Sequence, residues 1–179
     1  MSTYKYVCMN THFLLENACY IEYNCGMTNM HLRRLERAAL INWAANDNYT
    51  HAITLNTDRN LLCTRLNDIF STFCHRFDKR VHRIRNMRLF PIDLRLRAIV
   101  FPENLDTNAH LHGFADFTPA LKVLGHEKDL HEMVRTTWLR TTHGAGSIDI
   151  QSSPDKGWGR YITKRFDGTY FLSADYFPN

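Results

Sequence analysis

Two histidines separated by one residue, His110 and His112, are the first candidates for chemistry in this 179-residue chain. They begin the stretch 110–117, whose alternation of apolar and polar residues predicts a β-strand. Side chains alternate between the two faces of a strand, so the two imidazoles would project from one face and could bind one metal ion. The chain has ten histidines, so this pattern is a weak signal by itself.

A carboxylate is predicted to join the two imidazoles. The stretch 94–101 predicts a preceding strand, and the turn-forming residues between the strands predict a hairpin. With the turn centred at 106–107, Glu103 would lie across from His110 on the same face. Two nitrogens and one oxygen suit a divalent ion such as Mn²⁺ or Mg²⁺, which can polarise a phosphate oxygen. Asp116 shares the histidine face and is the reserve ligand if Glu103 is a solvated loop residue instead.

Tyr161 and Lys164 are three residues apart in a stretch, 158–166, that is predicted to form a short helix. Residues at this spacing share one helix face. A tyrosine there could attack a phosphodiester and form a phosphotyrosyl bond, while Lys164 could bind a phosphate or help to lower the tyrosine's pKa. Arg160 would flank the tyrosine and contact DNA. The alternative for Tyr161 is a surface tyrosine that packs through its ring and keeps its hydroxyl in water.

The predicted elements around these residues alternate in the order β-α-β-β-α-β-α. This order predicts an α+β fold, a ferredoxin-like or RRM-like antiparallel sheet with helices packed mainly on one face and the other face left for function. Residues 1–48 are predicted to form an N-terminal helical prelude without chemistry, and residues 49–179 the functional domain, within one compact unit. The remaining predicted elements are a helix at 30–45, a strand at 50–57, a helix at 59–85 capped by Asp58, a helical region at 119–140, a strand at 147–151 and a β-like tail.

Composition narrows the class of partner. The formal net charge of +4 and the basic clusters at 33–34, 76–80 and 83–85 favour a polyanionic partner. Five cysteines without a C-x-x-C pair or a secretory signal indicate reduced thiols in the cytoplasm, and no apolar run is long enough to span a membrane. No glycine-rich nucleotide loop is found, so no organic cofactor is expected. His126, His131 and His143 lack metal-like spacing and are expected to be ordinary surface histidines.

Three motifs, taken together, resemble the replication initiators of the HUH endonuclease superfamily. These proteins carry a strand motif, then histidine-hydrophobic-histidine, then tyrosine-x-x-lysine. The corresponding segments are His51-Ala-Ile-Thr-Leu-Asn-Thr57, Ala109-His-Leu-His-Gly-Phe-Ala-Asp-Phe117 and Arg160-Tyr-Ile-Thr-Lys164. The resemblance covers residues 50–167, and the segment from Trp138 to Ile150 also looks like the one before the tyrosine helix in small plasmid and phage initiators.

The resemblance implies a metal-dependent endonuclease that nicks single-stranded DNA at a replication origin. The nucleophile would be Tyr161, a 5′-phosphotyrosyl bond would form, and the free 3′-hydroxyl would prime rolling-circle replication. An acidic residue usually completes the metal site of the family, and Glu103 takes that role here. Arg165 and Phe166 stand where a second tyrosine would be expected, so the chain resembles a single-tyrosine member. No helicase phosphate loop is found, which implies that a host helicase or DNA supercoiling separates the strands.

Other functions remain open from the sequence. The same site would serve a relaxase or a transposase. A non-catalytic nucleic-acid-binding module, such as a repressor or an RNA binder, would use exposed aromatics on the sheet, for which Phe101 and Phe114 are the candidates. A two-histidine phosphoesterase is disfavoured because His51 and His110 are not followed, two residues later, by threonine.

Overall fold

The computed structural model describes residues 29–155 and 157–176, and it has an α+β fold. Short 3₁₀ turns connect or end some of the elements. The helices and strands in these ranges are α1 (Asn29–Asn46), β1 (His51–Asn56), α2 (Cys63–Val81), β2 (Arg97–Glu103), β3 (His110–Asp116), α3 (Thr118–Leu124), α4 (Glu127–Thr141), β4 (Ile148–Ser152), α5 (Trp158–Ile162) and β5 (Phe171–Leu172).

The strands form one sheet in the order β4-β1-β3-β2-β5, and every neighbouring pair is antiparallel. The order of the first four strands is that of a ferredoxin-like sheet, in which β3 lies between the two strands that α2 connects. The predicted fold class is therefore confirmed. The β-like tail also becomes a strand, because β5 pairs with the outer edge of β2.

The main core lies between one face of the sheet and the helices α2, α3 and α4. The apolar stripe of α2 supplies Phe70, Phe73 and Phe77, all of them buried, and Trp138 of α4 packs edge-on against Phe73. The Trp138 indole N–H donates a hydrogen bond of 2.7 Å to the Asn56 carbonyl, so its only polar atom is paired. This packing fixes the orientation of the sheet relative to the helices, so alternate side chains of β3 point into the main core.

The second face of the sheet is partly covered as well. A smaller apolar cluster of Ile99, Phe101, Phe114 and Ile162 lies there, packed by side chains from α1 and from the segment around α5. Arg37 of α1 donates hydrogen bonds of 3.1 Å to the Thr163 hydroxyl and to the Arg160 carbonyl. The helix predicted at 30–45 thus exists and packs on the segment that carries Tyr161. Residues 1–28 of the predicted prelude lie outside the described ranges.

The helix predicted at 59–85 is shorter at each end, and Asp58 does not cap it. Residues 59–61 are instead held against the β2–β3 connection, where Ala109 N–H donates to the Arg59 carbonyl at 2.8 Å and Leu61 N–H to the Leu105 carbonyl at 3.1 Å. Asp58 has a φ of 51° and donates its N–H to the Asn56 side chain. No helix in the described ranges is long and apolar enough to cross a membrane.

Candidate metal and nucleophile site

The β2–β3 hairpin brings the three predicted metal ligands together. Glu103 is the Cα partner of His110, as the turn position predicts. The Oε2 atom of Glu103 lies 3.8 Å from Nε2 of His110 and 4.0 Å from Nε2 of His112. One ligand atom from each residue falls within 4.8 Å of the others, which is a grouping that could hold a metal ion. Asp116, the reserve ligand, is not part of this group and accepts a hydrogen bond from Thr118 N–H.

The histidine rings are oriented by hydrogen bonds at their other nitrogen. Nδ1 of His110 lies 2.8 Å from the Asn108 carbonyl, which can only accept, so Nδ1 carries the proton and Nε2 of the neutral ring has a free lone pair. Nδ1 of His112 lies 2.9 Å from the Thr54 hydroxyl on the neighbouring strand. Partners of this kind fix ring orientation in protein metal sites.

The protonation of His112 also suits a metal ligand. Burial, with smaller contributions from His110 and Lys164, lowers the pKa of His112 from its ordinary 6.5 to about 4. The ring is therefore neutral at pH 7, which is the form that binds a metal.

Glu103 is nearly inaccessible to solvent, with 4% of its side chain exposed, and one of its carboxylate oxygens is not satisfied. Oε1 has no hydrogen-bond partner among the described residues, while Oε2 lies 3.6 Å from the Lys164 ammonium. A buried carboxylate oxygen without a partner costs free energy unless a cation binds it. The hairpin thus holds a carboxylate that is placed to bind a positive charge.

Tyr161 lies beside this group on α5, which is shorter than the predicted helix. Its ring stacks on Trp158 at a centroid distance of 5.3 Å and meets the His112 ring at 5.5 Å. The Trp158 indole N–H donates a 3.0 Å hydrogen bond to the Gly113 carbonyl, which anchors α5 to β3. Lys164 follows the helix in a turn, and its Nζ atom lies 3.9 Å from the centre of the Tyr161 ring. The side chain of Tyr161 stays 47% exposed.

These side chains line one open depression of about 330 Å³ on the second face of the sheet. Sequence reasoning gave no role there to Thr54 or Arg165. A signal for Thr54 was available, since it alternates with the apolar residues of β1. Arg165 binds the Asn104 side chain at 2.6 Å and so joins the α5 segment to the hairpin turn. The lining residues are Thr54, Asn56, Glu103, Asn104, Asn108, His110, His112, Tyr161, Lys164 and Arg165.

Other predicted site residues lie elsewhere. Arg160 is exposed but does not line the depression, and its carbonyl accepts the bond from Arg37. Phe101 and Phe114, the candidates for base stacking, are 3% and 6% exposed as members of the second apolar cluster, so they do not offer a stacking surface. His51 projects from the face of β1 opposite to Thr54, and its ring packs against Phe117 of the main core.

The depression thus combines a tyrosine hydroxyl, a lysine ammonium and a group of side chains that could hold a metal ion, which are the types of groups that enzymes use for phosphoryl transfer to a tyrosine. Comparisons of this chain with protein-family models, with curated proteins and with solved structures found no match.

Proposed function

We propose that the protein is a metal-dependent endonuclease and strand transferase that nicks single-stranded DNA through a covalent bond to Tyr161. The proposal includes the role that the HUH resemblance implies, initiation of rolling-circle replication at an origin. A relaxase or a transposase would use the same site.

One observation carries the proposal, namely the convergence of two separate segments on one depression. The hairpin contributes the Glu103, His110 and His112 ligand atoms, and the α5 segment contributes Tyr161 and Lys164. Lys164 connects the two parts, because its ammonium lies 3.6 Å from the Glu103 carboxylate and 3.9 Å from the centre of the tyrosine ring. A tyrosine that only packed on the surface would not need a cation and a ligand group at its side.

The donor set fits a divalent ion. An ion binds nitrogen and oxygen at about 2.1 Å, so two of its ligand atoms can be at most about 4.2 Å apart. The separations of 3.8 Å and 4.0 Å between Glu103 and the two histidines are within this limit, and all three ligand atoms lie within 4.8 Å of one another, so small side-chain shifts would bring the set around one ion. Two imidazoles and one carboxylate suit Mn²⁺ or Mg²⁺ with open positions, and a bound ion would polarise a non-bridging phosphate oxygen and offset its charge.

The chain's own residues would then perform the transfer. The Tyr161 phenol loses its proton to solvent, and its oxygen attacks the phosphorus of the scissile phosphodiester. The new bond is a 5′-phosphotyrosyl ester, the bond from phosphorus to the 3′-oxygen breaks, and that oxygen leaves with a proton from water as a free 3′-hydroxyl. Lys164 stabilises the negative charge that develops on the phosphate. The phosphotyrosyl bond conserves the energy of the broken link, so the reverse attack by a 3′-hydroxyl rejoins the strand.

The net charge of +4 supports a nucleic-acid partner, and Arg165 adds a basic side chain at the rim of the depression. Arg160 is proposed to contact DNA outside the depression. Separation of the strands would be the task of a host helicase in the replication role.

The test is adduct formation on a pool of labelled single-stranded oligonucleotides with Mn²⁺, read as a protein–DNA band that resists denaturation. Tyr161→Phe should abolish the adduct and keep DNA binding, because only the phenol oxygen is lost. Tyr170→Phe is the matched control, since Tyr170 has a similar exposure of 40% but does not line the depression. A chelator or His110→Ala should also abolish the adduct.

An adduct that persists in Tyr161→Phe would refute the assignment of the nucleophile. Binding of the pool by the wild-type chain with no adduct under any metal would refute the enzyme and favour the non-catalytic binding module.

A further inference from the structure

A second group of metal-ligand side chains lies on the opposite face of the sheet, away from the depression. We propose that His51, Glu127 and His131 bind a second divalent metal ion, of the type of Zn²⁺, which fastens the start of α4 to the start of β1. This site is independent of the proposed nicking activity.

The geometry of the three side chains matches a ligand set. Oε2 of Glu127 lies 3.0 Å from Nε2 of His51 and 3.6 Å from Nε2 of His131, and the three ligand atoms fall within 4.8 Å of one another. Glu127 and His131 are four residues apart on α4, so they project from the same helix face. Two imidazole nitrogens and a carboxylate oxygen are a known zinc ligand set, with water at the remaining position.

His51 is held as a metal ligand would be. It is 1% exposed, and its Nδ1 atom lies 2.7 Å from the Thr50 hydroxyl, which also accepts the Phe117 N–H. This contact leaves Nε2 directed at Glu127. With a metal at Nε2, the Nδ1 proton would be donated to the Thr50 oxygen, as the second nitrogen of a metal-bound histidine usually is.

A simple ion pair does not account for the third member of the group. The His51–Glu127 contact is a hydrogen bond in length, but the 3.6 Å between His131 and Glu127 is too long for one. Nε2 of His131 is buried and has no hydrogen-bond partner among the described residues, although nearly half of the side chain is exposed. A metal ion between the three side chains would give that nitrogen the partner that it lacks.

The basic side chains near the cluster do not neutralise Glu127, so its carboxylate is available to a metal cation. No lysine or arginine in the described part of the chain forms an ion pair with Glu127. Arg135, one turn after His131, is occupied by two hydrogen bonds to Glu132. The exposed sides of Glu127 and His131 face solvent, so an ion can enter and a water can complete its coordination.

The spacing of His131 gave no sign of this role, because one ligand comes from a strand 76 residues before Glu127. The sequence predicts an ordinary surface histidine at 131, whereas the proposed ligand role depends on the tertiary fold.

The test measures zinc bound per chain in the full-length protein after removal of metal with a chelator and reloading with Zn²⁺. All variants are made in a His110→Ala, His112→Ala background, which eliminates the first ligand group. His131→Ala should then bind one zinc ion fewer per chain than His126→Ala, a matched control at an exposed histidine just before α4. The cysteines are the same in the two variants, so any zinc that they bind cancels.

The visible absorption of bound Co²⁺ gives a second readout, and His131→Ala should lose the band that His126→Ala retains. Glu127→Gln provides a second variant at a half-exposed position, with the same expected loss of one ion. Equal metal content in His131→Ala, Glu127→Gln and His126→Ala would overturn the proposal, whether that content is high or low.

Discussion

The buried carboxylate of Asp78 allows a prediction with a defined pH dependence. Asp78 is fully buried on α2, and its Oδ1 atom accepts the Leu96 N–H at 3.0 Å, just before β2 begins. Burial raises its pKa from 3.8 to about 7, against the opposing effects of the Leu96 hydrogen bond and the Arg95 charge. The substitution Asp78→Asn keeps the acceptor for Leu96 and removes the titration.

The expected magnitude follows from the displaced pKa. In the unfolded chain Asp78 loses its proton near pH 3.8, whereas in the folded protein it keeps the proton up to about pH 7. The folded state therefore binds more protons between these values, and its stability falls as the pH rises through them. At about 1.4 kcal/mol per pKa unit, the raised pKa lowers the free energy of unfolding of the wild type by about 1.5 kcal/mol at pH 5 and by about 4 kcal/mol at pH 8. The stability of Asp78→Asn relative to the wild type should therefore increase by about 2 to 3 kcal/mol from pH 5 to pH 8.

Urea denaturation of the wild type and the variant at pH 5 and pH 8, with a chelator present, measures this gain. The comparison of two chains cancels the titration of the histidines, which the two share. Asp68→Asn is the matched control on the same helix, because the Asp68 side chain is 67% exposed. If the stability difference between Asp78→Asn and the wild type were the same at the two pH values, the carboxylate would be ionised throughout and the reasoning would be refuted.

Two further predictions concern Lys164 in the site and Gly113 in β3. On the proposed function, Lys164→Met should slow single-turnover adduct formation by about 100-fold, because the cation proposed to stabilise the charge on the phosphate is lost. Mn²⁺ should bind this variant at least as tightly, since the ammonium that contacts Glu103 is gone, and a loss of metal binding would show that the lysine only supports the fold. Gly113→Ala should lower the free energy of unfolding by about 3 kcal/mol, because the new Cβ would fall on the Ile99 carbonyl. A urea midpoint equal to that of the wild type would contradict this second prediction.

The parts of the site that depend on local geometry could be predicted from the sequence. A six-residue connection between two alternating strands leaves few registers, so the position of Glu103 across from His110 followed from the turn. The α+β class followed in the same way from the order of the elements. The start of α2 could not be predicted in this way, because hydrogen bonds between residues 59–61 and the hairpin connection take the place of helical ones there.

The cover on the second face of the sheet was harder to predict, although one signal was present. The run Ala98, Ile99, Val100 and Phe101 in β2 is apolar at consecutive positions, which is typical of a strand that is buried on its two faces. That run indicated that Phe101 would be covered, as it is. Which helix covers it depends on long-range packing, and sequence periodicity alone does not specify this.

The two parts of the candidate site differ in how much of the chain must fold before they exist. The metal ligands of the first group all lie between Glu103 and His112, within a single hairpin whose closure involves only a short loop. Tyr161 and Lys164 reach the same place only after the intervening helices and β4 have packed. Local contacts close with little loss of chain entropy, whereas a distant segment can dock only after the chain between has folded. We therefore expect the candidate ligand group to persist when the segment that carries Tyr161 opens locally, so the two parts of the proposed site would differ in lifetime.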